Sequence, residues 1–231
     1  MKDDRIEIIP TCVPTSVEDL AQKAREVGTY AEAIHIDVTD GLFAPACTWP
    51  YHAEGAIDAF DLASAEGLRV EMHLMVQEPR PLGIQFARAG AYRILGHVEA
   101  FENEESAHGA LDAWRHAGAR EVGLGILWDT PFEILEHHML IMDAVHIMSI
   151  ARIGTQGIPY ESSAPHRIRS FHELHPQMTI SVDGGVAESN IVELVKAGAR
   201  RFGVGSALSR AADPKSAFAR LRLMAEQALA P

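Results

Sequence analysis

Residues 34–41 read Ile34-His35-Ile36-Asp37-Val38-Thr39-Asp40-Gly41, and apolar residues alternate with polar residues up to position 39. Alternation is typical of a β-strand, in which successive side chains point to opposite faces. His35 and Asp37 therefore project to the same face, close to the carboxyl end of the predicted strand. In a closed parallel barrel this end of the strands carries the active site. The segment therefore predicts a barrel strand and part of a site.

Segments rich in Val, Ile and Leu recur along the chain and alternate with amphipathic segments, such as the predicted helices Val17–Glu26, Ala110–His116 and Ile191–Lys196. Parallel strands that are buried on both faces and joined by helices have this pattern. The predicted strands are Glu7–Val13, Ala33–Val38, Val70–Val76, Tyr92–Val98, Val122–Leu127, Ala144–Ser149, Thr179–Asp183 and Arg201–Gly205. We expect an α/β protein, a single (β/α)8 TIM barrel over residues 1–231, with an open doubly wound sheet of six strands as the alternative.

The junctions between the predicted helices and strands carry boundary signals. Thr15 is followed by Glu18 in capping-box spacing, and Asp213 precedes Pro214, so both positions predict helix starts. A glycine stands where each of five helices must end, and glycine accepts the left-handed conformation of that position. These glycines are Gly28, Gly67, Gly90, Gly118 and Gly198.

Composition restricts the class of protein. The chain has 231 residues, a formal net charge of −12 and 47% hydrophobic residues, which is an ordinary globular mixture with no basic surface for nucleic acid. No apolar run is long enough to span a membrane, and the first residues are too polar for a secretory signal, so we expect a cytoplasmic protein. Cys12 and Cys47 are expected to be free thiols, and the barrel is expected to form a homo-oligomer.

Two further strand ends carry polar residues that suit a metal. His73 lies near the end of the third predicted strand, and Asp183 ends the seventh. Together with His35 and Asp37 they form a set of two imidazoles and two carboxylates at one end of the barrel. Mixed nitrogen and oxygen ligands suit Zn, Fe(II), Mn or Co better than Ca or Mg. The sequence does not rank those four metals.

Most histidines on strands are core residues and not ligands, so only their shared position at strand ends favours His35 and His73. His97 ends the fourth predicted strand and is expected to orient another site residue. His146 receives no assignment. Structural or solvated roles in helices or their flanks are expected for His52, His116, His137, His138, His166, His172 and His175.

Two glycine-bearing turns follow the last two predicted strands. Gly184-Gly185 follows the seventh strand, and Gly203-Val204-Gly205-Ser206 follows the eighth. Barrels of this kind bind phosphate with backbone N–H groups at these two turns. A phosphorylated ligand is therefore expected there.

These motifs together resemble the ribulose-phosphate 3-epimerase family. The resemblance runs in order over nearly the whole chain, through residues 35–45, 73–79, 97–100, 130–131, 148–149, 182–185 and 205–207. It implies one divalent metal per chain, held by His35, Asp37, His73 and Asp183. It also implies that Asp37 and Asp183 are the catalytic acid and base. The implied substrate or phosphate contacts are Met75, Met148, Gly154, Gly184, Gly185, Gly205 and Ser206.

The activity that this resemblance implies is that of an isomerase, a metal-dependent 3-epimerase of a small sugar phosphate. The expected reaction converts ribulose 5-phosphate to xylulose 5-phosphate, or acts on a related tetrulose, pentulose or hexulose phosphate. Removal of the C3 proton beside the C2 ketone leaves an enediolate, whose oxygens a divalent cation stabilises as a Lewis acid. The alternatives are a related phosphate-binding barrel with decarboxylase or aldol chemistry, and a non-catalytic barrel that binds metal and ligand.

The chain departs from the family pattern around the predicted mouth of the barrel. Pro14 stands in place of a Ser, Thr39 in place of a Met and Ala46 in place of an Asn. The loop Ala151–Gly157 replaces the family's Asn-Pro-Gly-Phe-Gly-Gly-Gln and introduces Arg152. Because the four expected ligands are intact, we expect metal chemistry with a substrate that is either ribulose 5-phosphate or a relative of it.

Overall fold

The architecture is a closed barrel of eight parallel strands. The computed structural model describes residues 5–53, 56–57, 60–155 and 157–229. The barrel strands are β1 (Glu7–Cys12), β2 (Ala33–Thr39), β3 (Arg69–Met75), β4 (Arg93–His97), β5 (Glu121–Ile126), β6 (Ala144–Met148), β7 (Thr179–Asp183) and β8 (Arg201–Val204). They are ordered β1-β8-β7-β6-β5-β4-β3-β2, and β1 pairs with both β8 and β2. The predicted TIM barrel is confirmed, and the closed pairing excludes the open six-stranded sheet.

Helices cover the outside of the barrel. They are α1 (Val17–Val27), α2 (Pro79–Arg88), α3 (Glu104–Ala117), α4 (Ala164–Leu174), α5 (Ile191–Lys196), α6 (Ser206–Ser209) and α7 (Pro214–Leu229). Two connections differ from the repeat. A short hairpin of Tyr51–Ala53 and Ala56–Ile57 follows β2, and a 3-10 helix at Phe132–His138 follows β5. No helix within the described ranges has the length and apolar character needed to cross a bilayer.

The predicted strands agree with the observed strands to within one residue at each end. Helix limits were less accurate: the prediction Ala110–His116 covers only the second half of α3, because the first turns of that helix are mostly polar and exposed. His52 lies in the short strand Tyr51–Ala53, so its expected helical position is wrong. The limits of the predicted domain, residues 1 and 231, and Gln156 of the loop after β6 lie outside the described residues.

Two of the boundary predictions are corrected by the backbone. Gly28 has a φ of −61° and remains right-handed, whereas Gly67, Gly90, Gly118 and Gly198 have positive φ as expected. Ser16, not Thr15, caps α1, because its hydroxyl accepts a hydrogen bond from the Asp19 amide at 3.2 Å. The Asp213 carboxylate accepts from the Ser216 amide at 3.2 Å, as the predicted start of α7 requires. Cys12 and Cys47 are free.

The amino-terminal end of the barrel interior is closed by a ring of alternating charges. Arg93 donates to Glu121 at 3.0 Å and to Glu7 at 3.2 Å. Arg201 contacts the same two carboxylates, Glu121 at 2.7 Å and Glu7 at 3.1 Å. Two glutamates and two arginines thus neutralise one another, which is the condition for placing charged groups inside a barrel. Polar groups therefore continue through the interior toward the site.

Outside the strands, Trp114 is the largest fully buried side chain and joins α3 to α2. Its indole N–H donates to the Arg80 carbonyl at 3.1 Å. A Cβ atom added at Gly83 of α2 would lie 2.2 Å from Nε1 of this indole, and one added at Gly96 of β4 would lie 2.7 Å from its Cη2 atom. Both glycines therefore allow the close approach of the tryptophan ring.

We predict opposite effects for two Gly→Ala substitutions in helices. Alanine normally stabilises a helix interior by about 0.5–1 kcal/mol relative to glycine. Gly109→Ala in α3 should show this gain, since a Cβ there meets only the flexible end of Arg80 at 3.7 Å. Gly83→Ala should destabilise by about 1–3 kcal/mol, because the methyl group overpacks against Trp114. Urea unfolding monitored by tryptophan fluorescence measures the change in unfolding free energy for both variants. A change of the same sign in the two variants would contradict the packing argument.

Candidate metal centre

Four side chains from four strands converge inside the barrel. His35, His73, His146 and Asp183 each place one ligand atom so that all four atoms lie within 4.8 Å of one another. The three histidines are completely buried, and the side chain of Asp183 is 13% exposed. The structure therefore brings three of the four expected ligands together and adds His146.

Asp37, the fourth expected ligand, lies beside this group on β2. Its Oδ1 atom accepts a hydrogen bond from His73 Nδ1 at 2.8 Å and lies 3.1 Å from His35 Nε2. The carboxylate is not among the four mutually close atoms, but it contacts two of the residues that supply them. Its side chain is 13% exposed, so it reaches the open end of the barrel.

His146 is the site residue that the sequence analysis missed. It lies two residues before the end of β6, as His73 does in β3, but no motif of the sequence marks it, and a buried histidine on a strand is usually a core residue. A usable signal was present, because His146 is two residues from Met148 and therefore shares the face of an expected site residue. Nδ1 of His146 is 2.9 Å from Ser181 Oγ, while among the described residues its Nε2 atom has no hydrogen-bond partner.

Glycines on the facing strands provide the volume for these polar groups. A Cβ atom at Gly203 of β8 would lie 2.9 Å from Oδ1 of Asp183. A Cβ atom at Gly125 of β5 would lie 3.2 Å from the imidazole ring of His97. Larger residues at these inward positions would displace the site residues.

A carboxylate on the neighbouring strand β3 holds the ring of His35. His35 Nδ1 donates to Glu71 Oε1 at 2.5 Å, which directs its Nε2 atom toward Asp37. Glu71 in turn accepts a hydrogen bond from Arg93. Such partners fix the orientation and tautomer of a metal-binding histidine. The charged ring at the base of the barrel is thereby connected to the site.

A second chain of contacts supports His73. Its Nε2 atom shares a hydrogen bond of 2.9 Å with Nε2 of His97, and Nδ1 of His97 lies 3.4 Å from a carboxylate oxygen of Glu99. The other oxygen of Glu99 accepts from the Leu127 amide at 2.7 Å. This arrangement is consistent with the orienting role expected for His97.

The two carboxylates of the site have pKa values displaced in opposite directions. Burial acts to raise the pKa of Asp37, but hydrogen bonds from His35 and His73 outweigh it and hold that pKa well below its usual range. Burial and the neighbouring charge of Asp37 raise the pKa of Asp183. Burial, followed by the charges of His73 and His35, lowers the pKa of His146, so its imidazole is neutral. Divergent pKa values of this kind separate the roles of base and acid.

The donor set fits a divalent transition metal. Neutral imidazole nitrogen and carboxylate oxygen are the ligands that such ions prefer, and Nε2 of His146, a residue of this group, has no hydrogen-bond partner in the described part of the chain. No oxygen-only cluster of the kind that calcium requires is formed by these residues.

The comparisons with known proteins identify the family of the chain. Residues 7–209 match the sequence profile described as the Ribulose-phosphate 3 epimerase family. The chain belongs to the ribulose-phosphate 3-epimerase family. It is 30% identical over 223 residues to the ribulose-phosphate 3-epimerase of Mycobacterium leprae (strain TN), which covers 93% of each chain. It is 28% identical over 224 residues to that of Bacillus subtilis (strain 168), covering 94% of this chain and 98% of the relative.

Solved structures share the fold of this epimerase-family chain at low identity. The 3-hexulose-6-phosphate synthase from Salmonella typhimurium superposes with a TM-score of 0.67 at 14% identity, covering 96% of this chain and all of the other. Orotidine 5'-monophosphate decarboxylase from Sulfolobus solfataricus gives 0.65 at 13% identity, covering 98% and 100%. These likenesses concern the barrel alone, whereas family membership confirms the predicted enzyme class, an isomerase.

The expected substrate contacts occupy the open end of the barrel. Met75 and Met148 are buried in an apolar cluster with Ala44 and Ile153, which joins the loops after β2 and β6. Gly154 packs against the loop after β2, since a Cβ atom added at Gly154 would lie 2.6 Å from the Cβ of Ala44. Loop packing thus explains the glycine at position 154.

The glycine turns follow the adjacent strands β7 and β8. Gly184 and Gly185 have φ of 107° and 71°, conformations that favour glycine. Gly205 precedes α6, and Ser206 is the exposed first residue of that helix. The binding of phosphate at these turns stays a prediction.

Two residues that depart from the family pattern hold the loop after β2. The carbonyl of Pro14 accepts from the Trp49 amide at 3.2 Å, and the Thr39 amide donates to Thr48 Oγ1 at 2.9 Å. Asp40 of the opening motif organises the same loop, because one of its oxygens accepts from the amides of Leu42 and Phe43 at 2.9 Å. Ala46 is half-buried in this segment, and its substitution has no contact that explains it.

We predict that Arg93→Met destabilises the protein by about 3–5 kcal/mol, because it leaves the buried Glu71 carboxylate without its cation. Arg69→Met is the matched control, since Arg69 contacts Glu7 at 2.9 Å but is 39% exposed and should change stability by about 0–1 kcal/mol. Urea unfolding measures the change in unfolding free energy for both variants. Adding Glu71→Gln to Arg93→Met should restore part of the loss. Equal stability of the two single variants would contradict a buried-charge explanation.

Proposed function

We propose that the chain is a metal-dependent ketose-phosphate 3-epimerase that works by two-base proton transfer. The observation that carries this proposal is the pair of carboxylates at the site. Asp37 and Asp183 come from the ends of β2 and β7, and their nearest oxygens lie 2.8 Å and 3.9 Å from the same atom, Nδ1 of His73. Membership of the ribulose-phosphate 3-epimerase family supports the reaction class.

The protonation states of the pair suit complementary tasks. Asp37 remains ionised and can accept the C3 proton, because two histidines stabilise its charge. Asp183 has a raised pKa and can hold a proton for delivery to the opposite face of C3. The roles exchange in the reverse reaction. Removal on one face and return on the other inverts the configuration at C3.

His35, Asp37, His73 and Asp183 are the residues that we assign to the metal. A divalent ion in this set supplies Lewis-acid stabilisation of the negative oxygens of the enediolate. Zn, Fe(II), Mn and Co are all compatible with imidazole and carboxylate ligands. Glu71 and His97 keep the two imidazoles oriented for this purpose.

The surrounding residues bind and enclose the substrate. Met75 and Met148 form an apolar cover that excludes water, which protects an enediolate from solvent protons. The phosphate is bound by backbone N–H groups at Gly184, Gly185 and Gly205, with Ser206 beside them. Ribulose 5-phosphate is the first candidate substrate, and the altered residues Pro14, Thr39 and Ala46 make a related ketose phosphate the second.

The carboxylate pair is tested by hydrogen exchange. In deuterated water, the wild-type protein loaded with metal should incorporate deuterium at C3 of ribulose 5-phosphate. Asp37→Asn and Asp183→Asn should each reduce kcat by about 10²–10⁴-fold, the usual contribution of general acid–base catalysis. Asp112→Asn is the matched control, because Asp112 is an exposed carboxylate on α3 and its loss should leave the rate unchanged.

Exchange should be followed by NMR with a panel of tetrulose, pentulose and hexulose phosphates. Absence of C3 exchange with every member would refute the proposal. Release of carbon dioxide or formation of a carbon–carbon bond without exchange would assign decarboxylase or aldol chemistry instead. Ligand binding without turnover would assign a non-catalytic barrel.

We also predict that metal removal abolishes turnover reversibly. Dialysis against a chelator should eliminate exchange, and one equivalent of Zn²⁺, Co²⁺, Mn²⁺ or Fe²⁺ per chain should restore it, because the enediolate charge needs a cation. Circular dichroism should remain unchanged, since the barrel core and the charged ring persist without metal. Full activity of metal-free protein, verified by elemental analysis, would contradict metal dependence.

A further inference from the structure

We propose that His146 is a direct ligand of the metal and that the site is therefore built on three histidines. This inference rests on the metal-dependent function proposed above, but it concerns a residue outside the four assigned ligands. His146 is completely buried on β6, and its ring packs edge-on against His73 with centroids 4.5 Å apart. It stacks against the ring of His35 with centroids 5.5 Å apart and an interplanar angle of 24°.

The ring of His146 is held in one orientation by its hydrogen bond to Ser181. With Nδ1–H donating to Ser181 Oγ at 2.9 Å, Nε2 carries a lone pair and is the ring nitrogen left to bind a metal. In the part of the chain that the structure describes, nothing accepts from or donates to this atom. Buried polar atoms are nearly always paired, and His146 also belongs to a group of four residues whose ligand atoms lie within 4.8 Å of one another, so its unpaired nitrogen indicates a shared ion.

The distances fit a shared cation. Two atoms bound to one zinc ion at about 2.0–2.2 Å lie no more than about 4.4 Å apart. The ligand atoms of His35, His73, His146 and Asp183 all lie within 4.8 Å of one another, so small side-chain movements bring them to one ion. If His146 only filled space in the barrel interior, an apolar side chain of similar size would fill it equally well.

A third imidazole ligand changes which metal ion the site prefers. Imidazole suits Zn, Co, Fe and Ni, whereas carboxylate and water suit Mn and Mg. The wild-type protein should therefore prefer Zn²⁺ to Mn²⁺ more strongly than a variant without His146.

The decisive experiment uses Co²⁺ alone as the probe. Ligand imidazoles in Co²⁺ proteins give strongly shifted, exchangeable N–H proton signals, and each buried histidine here has a protected outer nitrogen: His35 toward Glu71, His73 toward His97, and His146 toward Ser181. We expect three such signals from the wild-type protein. His146→Leu should lose one and bind Zn²⁺ at least about 100-fold more weakly, beyond the 10–100-fold typical of a residue that only supports a ligand.

His138→Leu is the matched control. His138 is also buried and neither of its ring nitrogens has a hydrogen-bond partner among the described residues, but it lies in the 3-10 helix outside the barrel, 6.5 Å from His108 between ring centroids. This variant should keep all three signals and the wild-type affinity. His146→Gln provides a polar replacement of similar size if the leucine variant does not fold.

Two shifted signals in the wild-type protein, or three in His146→Leu, would overturn the assignment of His146 as a metal ligand. This result does not depend on the activity of any variant. No Co²⁺ or Zn²⁺ binding by the wild-type protein would overturn it as well. Three signals in a protein that fails to exchange C3 protons would retain His146 as a ligand and refute the proposed reaction instead. The two proposals therefore fail by different measurements.

Discussion

The buried carboxylate of Glu71 is the interaction on which the interior of this barrel depends. It accepts hydrogen bonds from Arg93 on one side and from His35 on the other, and it is 1% exposed. Burial acts to raise its pKa, but the charge of Arg93 and the hydrogen bond from His35 hold that pKa well below its usual range. A charge placed this deep is tolerable only while both partners remain. It therefore joins the structural base of the barrel to the ligand set.

The same constraint explains the distribution of small residues. Charged and imidazole side chains occupy part of the barrel interior, and glycines stand at some of the positions that face them. Gly203 makes room for Asp183, and Gly125 makes room for His97. The apolar core lies mainly between the strands and the helices, where Trp114 and Phe86 are fully buried. The apolar core between strands and helices thus provides most of the stability, and the polar interior of the barrel holds the candidate site.

Much of the fold and part of the site could be predicted. Strand positions followed from alternation and apolar runs, because each inward or outward direction is fixed by local geometry. His35 and His73 are predicted because they stand in motifs that approach the carboxyl ends of their strands, and Asp183 is predicted because it ends β7. His146 is not predicted because no motif marks it, and a buried histidine on a strand is usually a core residue. The spacing of Thr15 and Glu18 predicts a helix start one residue too early. The structure begins α1 at Val17, so Ser16 is the residue whose hydroxyl reaches a free amide of the first turn.

The sequence by itself determined the eight-stranded barrel, the family and the residue types available for metal chemistry, because these depend on local periodicity and on motifs of a few residues. Only the tertiary structure decided which of those residues meet. His35 and Glu71 are 36 positions apart, as are Asp37 and His73, and their contacts depend on the register of β2 against β3. The place of His146 beside them depends on closure of the whole barrel. Registers and closure arise from packing of distant segments, and no local pattern specifies them.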